Sequence, residues 1–324
     1  MTMATIKWGI IGCGNVTEVK SGPAFRLAED SDVVAVMRRN KDLAKDYARR
    51  HHVARYYDNA SDLLSDADVN AIYIATPPGS HEAYALAAIE RGFPVYIEKP
   101  LGLDAPAARR IAAAVNATGV QASVAHYRRR LPAFVFVKQL LEENRIGQVH
   151  SANLRLWKSA SKENAGWRLD PSLSGGGFFH DLAPHQLDIL LYYFGKPLKA
   201  QGISTGSDPR IADVVSGQLL FPGNLLVNAS WNFIVPPHQN ADECILIGEE
   251  GSIRFHFFSN FHQVTLETAT GKEVFNFDTP AHVQQPLIAD VVKYFRGEAA
   301  NPCSVEEAVI GMELMEQLTC SYEE

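Results

Sequence analysis

Gly175 to Asp188 reads GGGFFHDLAPHQLD: three glycines run into two histidines and two acids. Asp181 and His185 are four apart, so a helix puts them on one face. A histidine titrates near neutral pH and can accept a hydroxyl proton or return it. Asp181 then holds substrate hydroxyls and tunes the ring. Asp188, three residues on, either fixes the imidazole from behind or is a helix-surface acid. His180 points about 100° around the helix from Asp181 and is the weaker candidate. The cluster could instead hold a metal, or simply turn the chain into a helix. His180 and His185 fall on different helix faces, unlike the i, i+4 pair of zinc-binding helices, and no cysteine is near. No metal is expected.

The glycines and charges upstream narrow the choice. Ile6 to Ile11 is an apolar run that ends in Gly12-Cys13-Gly14-Asn15-Val16-Thr17, a GxGxxG pattern with threonine in the third place. The first glycine permits a tight turn, the second a close backbone approach to a pyrophosphate, and the third eases helix packing. Apolar runs at Val33–Val36, Ala71–Ala75, Pro94–Ile97 and Gln121–Ala125 alternate with helical stretches at Asp42–Arg50, His81–Arg91 and Asp104–Thr118. That alternation predicts a parallel sheet, with ligands beyond the carboxyl ends of its strands. Thr76-Pro77-Pro78 and Glu98-Lys99-Pro100 fall at such ends. The second strand ends Met37-Arg38-Arg39-Asn40, with no acid for a ribose hydroxyl. Guanidinium groups match a phosphate, so NADP(H) is favoured, with Arg38 the main contact and Arg39 second, and NAD(H) the alternative. The candidate cofactor-binding residues are Gly12, Gly14, Asn15, Val16, Arg38, Arg39, Thr76, Pro77, His81, Glu98 and Lys99.

After Ala125 the pattern changes. Leu131–Glu142 reads as a helix. Strands follow at Val149–Trp157, Leu198–Ser204, Val214–Phe221, Leu225–Phe233, Cys244–Ile247, Ser252–Phe258, Gln263–Thr268 and Glu273–Phe277. Short links predict antiparallel pairing. Val283–Arg296 and Ser304–Thr319 read as helices, the last opened by a capping box, Ser304 to Glu307. The fold class is therefore α/β: a Rossmann domain over 1–125, then an α+β domain with an open, mostly antiparallel sheet over 126–324. One sheet face is left for a second subunit, since a broad apolar face does not stay exposed.

A net charge of −7 argues against a nucleic-acid surface. No apolar run of about 18 residues exists, so no membrane span is expected. No leader is evident at the N-terminus, and Cys13, Cys244, Cys303 and Cys320 form no CxxC pair, which fits free thiols in a reducing, cytoplasmic setting.

Gly12–Thr17, Glu98-Lys99-Pro100 and GGGFFHDLAPHQLD together resemble, in order, three signature segments of the glucose–fructose oxidoreductase / inositol dehydrogenase / rhizopine catabolism (Gfo/Idh/MocA) family. The similarity spans nearly the whole chain. It implies that Lys99, Asp181 and His185 are the catalytic residues. His185 is then the general acid/base, and Lys99 stabilises the alkoxide. His126 and Arg168 are further candidates for facing a substrate. The implied activity is hydride transfer between NADP(H) or NAD(H) and a hydroxyl or carbonyl carbon of a sugar, cyclitol or related polyol. The resemblance also implies a cis Lys99–Pro100 peptide and a homodimer or homotetramer. Two other readings stay open: a glycosidase or lyase that cycles a tightly bound cofactor, and a non-catalytic ligand sensor.

Overall fold

The computed structural model describes residues 5–160, 166–208 and 210–319. Contacts divide the chain into two compact units. The first takes the residues up to Tyr127 together with Pro280–Val309, and the second takes Arg128–Thr279 and the residues from Ile310 on.

The first unit is built on β1 (Ile6–Ile11), β2 (Ser31–Met37), β3 (Arg55–Tyr57), β4 (Ala71–Ile74), β5 (Val95–Ile97) and β6 (Ala122–Val124). Their order is β3-β2-β1-β4-β5-β6, and every pair is parallel. The order reverses between β1 and β4, which opens a crevice at the carboxyl ends of the strands. All four residues of β4 are buried, as a strand covered on both faces requires. The helices Lys41–Arg50 and Ala105–Thr118 start where Asn40 and Asp104 accept the backbone N–H of Leu43 and Ala107.

The first unit holds more than the sequence reading gave it. The edge strand β3 was not anticipated, because three half-buried residues carry no alternation. The helix Gln285–Phe295 falls within residues 126–324 by position, yet it packs in the first unit. Its Phe295 lies 5.6 Å from the Trp8 ring. Trp8 meets Phe25 at 4.8 Å, and Phe25 meets Tyr73 at 4.9 Å, so this helix closes an aromatic core.

The second unit carries β7 (Val149–Trp157), β8 (Lys199–Thr205), β9 (Val214–Phe221), β10 (Leu225–Asn232), β11 (Ala241–Gly248), β12 (Gly251–Phe255), β13 (Gln263–Thr268) and β14 (Gly271–Asn276). They form one sheet in the order β14-β13-β12-β11-β7-β10-β9-β8. All pairs are antiparallel except β7 with β10. The long excursion between β7 and β8 lets β10 run alongside β7 in the same direction. One sheet face is covered by the helices Pro132–Glu142 and Gly177–Phe194. Phe134 and Tyr193 meet Phe255, Phe179 meets Trp231, and Phe194 meets Phe221. The other face carries an amide row in register across four strands: Gln201, Gln218, Asn228 and Asn153.

Phe295→Ala should cost about 3–5 kcal/mol, the usual range for truncating a buried aromatic. Amide hydrogen exchange checks it: protection should fall in peptides from the first-unit sheet and hold in β7–β14. An equal loss in both units would contradict the assignment of this helix.

Candidate active site

The glycine turn follows β1 directly. Gly12 has φ +101°, and a Cβ there would lie 2.7 Å from the Thr76 side chain and 2.8 Å from the backbone of Ala75 and Thr76. No L side chain fits. Gly14 is the opposite case, since a Cβ would meet nothing within 4 Å. The turn is thus packed tightly behind Gly12 and open in front of Gly14, which fits a bound pyrophosphate. Asn15 and Val16 open the short helix Asn15–Val19. The Arg38 guanidinium donates to Cys13 O at 3.3 Å, so it lies beside this turn, while Arg39 is exposed. Burial pushes the Cys13 thiol up to about 11, against the pull of Arg38, so the thiol stays protonated.

Thr76 and Pro77 follow β4, with Thr76 Oγ1 accepting from the Ser80 hydroxyl at 2.8 Å. His81 is fully buried. Its Nε2 lies 2.7 Å from Thr76 O and its Nδ1 3.0 Å from Pro100 O. A neutral ring donates through one nitrogen at a time. Burial holds its pKa below the usual value, while the two carbonyls pull the other way. The ring ties the β4 and β5 loops together and presents neither nitrogen to a cofactor. Glu98 also turns inward: its Oε1 accepts the Tyr73 hydroxyl and Gln284 Nε2, both at 2.6 Å. Lys99 is half-buried and precedes a cis peptide to Pro100. His126 is buried, and its backbone N–H donates to Val124 O.

In the second unit the helix Gly177–Phe194 carries the histidines and acids named above. Asp181, His185 and Asp188 are 8%, 5% and 3% exposed, on one face at i, i+4 and i+7. Arg168 Nε donates to Asp181 Oδ2 at 2.6 Å, joining two residues the sequence had named separately. Asp188 is no surface acid. Arg129 clasps it, with Nη2 at 2.7 Å from Oδ1 and Nε at 3.0 Å from both carboxylate oxygens. The His185 ring meets Phe258 edge-on at 5.8 Å, and the Arg128 guanidinium stacks over the same Phe258 at 4.6 Å. Phe258 is itself held by Asp242, whose carboxylate accepts the backbone N–H groups of Phe257, Phe258 and Ser259. The glycines that lead into the helix make room for the protein's own side chains. A Cβ on Gly176 would strike the His180 ring, and one on Gly177, at φ +75°, would strike Ile211. Among the described residues, no three His, Cys, Asp or Glu are gathered as a metal site needs.

Residues 6–126 match the model of an oxidoreductase family with an NAD-binding Rossmann fold, GFO_IDH_MocA, and residues 134–254 match the GFO/IDH/MocA C-terminal domain. The chain belongs to the Gfo/Idh/MocA family. Among its Gfo/Idh/MocA relatives, Oxidoreductase P35 of Formosa agariphila is 44% identical over 96% of this chain and 97% of its own length. The 1,5-anhydro-D-fructose reductase of Ensifer adhaerens is 26% identical over 94% of this chain and 92% of its own. In fold the chain is similar to levoglucosan dehydrogenase in complex with NADH and levoglucosan. The TM-score is 0.86 at 20% identity, covering 97% of this chain and 96% of that one. As in its family, the first unit is an NAD-binding Rossmann fold and the chain is an oxidoreductase. No helix among the described residues is long and apolar enough to cross a membrane.

Arg128, Arg129, Phe258 and Asp242 were not anticipated. The run Tyr127-Arg128-Arg129-Arg130 has the composition of a solvated surface, and the only local sign against it is its position directly after a buried strand. Gly12→Ala should fail to fold or melt much lower. Gly14→Ala should melt like the parent but weaken nucleotide affinity by about tenfold or more, because its Cβ fills space the pyrophosphate needs. Differential scanning fluorimetry with and without NADP and NAD reads both effects.

Proposed function

We propose that this chain transfers a hydride between NADP(H) and a hydroxyl or carbonyl carbon of a sugar, cyclitol or related polyol. The observation that carries the cofactor choice is Arg38 lying against the glycine turn, with no acid at the end of β2. A guanidinium there suits a ribose phosphate. Gly12, Gly14, Asn15 and Val16 would hold the pyrophosphate, and Thr76, Pro77 and Lys99 would line the nicotinamide end. When bound, the nicotinamide supplies the hydride acceptor or donor.

The protein's own part is proton handling and orientation. His185 takes the hydroxyl proton in oxidation and returns it in reduction. Lys99 stabilises the developing alkoxide. Asp181, fixed by Arg168, orients substrate hydroxyls and the imidazole. The names of the relatives support a cyclic, hydroxylated substrate: one reduces 1,5-anhydro-D-fructose, and another was solved with levoglucosan. The test is a panel with both cofactors: levoglucosan, 1,5-anhydro-D-fructose and inositols, followed at the nicotinamide absorbance. Turnover should prefer NADP(H), and Arg38→Ala should abolish the preference. His185→Ala should lower kcat by about 10²–10⁴-fold while nucleotide binding survives. A preference for NAD(H), or a fully active His185→Ala, overturns the corresponding assignment.

We also propose that the outward face of the second-unit sheet pairs with a second copy of the chain. The amide row Gln201, Gln218, Asn228 and Asn153 offers donors and acceptors to its own copy, and the exposed Ile203, Leu220 and Leu226 border it. Solution scattering should return a dimeric or tetrameric mass, and a monomeric mass would exclude the pairing.

A further inference from the structure

We propose that Gln284, 186 positions downstream of Glu98 in the chain, is a positioning residue for Lys99 and acts through Glu98. The proposal rests on the reading of Lys99 given above. Gln284, Tyr73 and Ser21 are fully buried, and Glu98 is nearly so. Gln284 Nε2 and the Tyr73 hydroxyl both donate to Glu98 Oε1 at 2.6 Å, and Tyr73 also lies 3.0 Å from the Ser21 hydroxyl. The backbone fixes both ends of this link. The Gln284 N–H donates to Lys20 O at 3.3 Å, and the Glu98 N–H donates to Ile74 O at 2.9 Å.

Successive residues of an extended segment face opposite sides. With Glu98 drawn inward by two donors, Lys99 is left half-buried on the other side. Its second neighbour is anchored too, since Pro100 O lies 3.0 Å from His81 Nδ1. Lys99 therefore sits between two residues whose positions are fixed from the interior. Stability alone does not call for this arrangement, because a buried polar network is often no more stable than an apolar core of the same volume. A carboxylate that must meet two donors fixes the backbone at one place, and that is what a lysine acting at a defined atom requires.

The test uses the full chain. Gln284→Met keeps the length of the side chain and removes the donor. The double exchange Glu98→Gln with Gln284→Glu restores an amide–carboxylate bond in the reverse sense. Amide hydrogen exchange is read in peptides covering residues 97–103, with no substrate needed. Turnover is read with NADPH and 1,5-anhydro-D-fructose and with NADP and levoglucosan. Gln284→Met should speed exchange in that segment by about tenfold over other first-unit peptides. It should lower kcat by about tenfold with nucleotide affinity changed far less, and the double exchange should recover both. Exchange unchanged in 97–103, or raised evenly across the first unit without recovery in the double exchange, overturns the proposal. If Gln284→Met does not fold, Tyr73→Phe removes the other donor and is judged by the same readings. Lys99→Met separates the two ideas. If it keeps the parental kcat, the reading of Lys99 fails and the positioning proposal with it. If it loses kcat while Gln284→Met does not, only the positioning proposal fails.

Discussion

A buried carboxylate must be met by donors, and this requirement organises the second unit. Asp188 lies 3% exposed on a helix most of whose buried side chains are apolar. Removing one partner of such a pair strands a charge in the interior, at a cost of about 3–5 kcal/mol. Arg129 meets the carboxylate through two nitrogens, a planar fork that fixes direction as well as distance. On the same helix Gln186 Oε1 accepts the buried Trp231 indole N–H at 2.6 Å. Rotating the helix by one residue, about 100°, would break both bonds at once. The face that carries Asp181 and His185 is therefore set by the polar contacts of Gln186 and Asp188.

The same requirement acts in the first unit through different groups. Glu98 meets Tyr73 and Gln284, and His81 spans the carbonyls of Thr76 and Pro100. Both contacts lie behind loops at the carboxyl ends of β4 and β5. Parallel strands leave their last carbonyls and side chains to whatever follows, so such loops need tethers from the interior. Here an imidazole and a carboxylate supply them. That accounts for two residues of the loop segments turning inward although their sequence positions matched a cofactor contact.

What could be read from the sequence follows the range of the interaction concerned. Alternating strands and helices, the glycine turn, the capping box and the period-two strands of the second half are local patterns, and the strands they predict are present. The capping box is reciprocal, with Ser304 and Glu307 each accepting the other's backbone N–H. Local pattern does not reach a bond between Arg129 and Asp188, 59 residues apart, or between Glu98 and Gln284, 186 apart. Three successive arginines look solvated until the acid that buries one of them is known. Likewise, an amphipathic helix such as Gln285–Phe295 shows that it packs, but not against which sheet. The parallel pairing of β7 with β10 was hidden for the same reason, since short links describe only neighbours in sequence.

The threonine in the third glycine position shows how a departure from a pattern can be absorbed nearby. The third glycine exists to let helix and strand pack closely. Thr17 fills that place, fully buried, and its hydroxyl donates to Gly14 O at 2.8 Å, which closes the turn. Its carbonyl accepts the Tyr47 hydroxyl at 3.0 Å. The close approach has moved down the chain to Gly22, where a Cβ would lie 2.1 Å from Thr17 O and 2.4 Å from the Tyr47 hydroxyl. Crowding that a glycine usually relieves at the third position is thus relieved five residues later, and the first two glycines keep their geometry. A motif defined by what each residue must leave room for survives this exchange, whereas a motif defined by letters would count it as a loss.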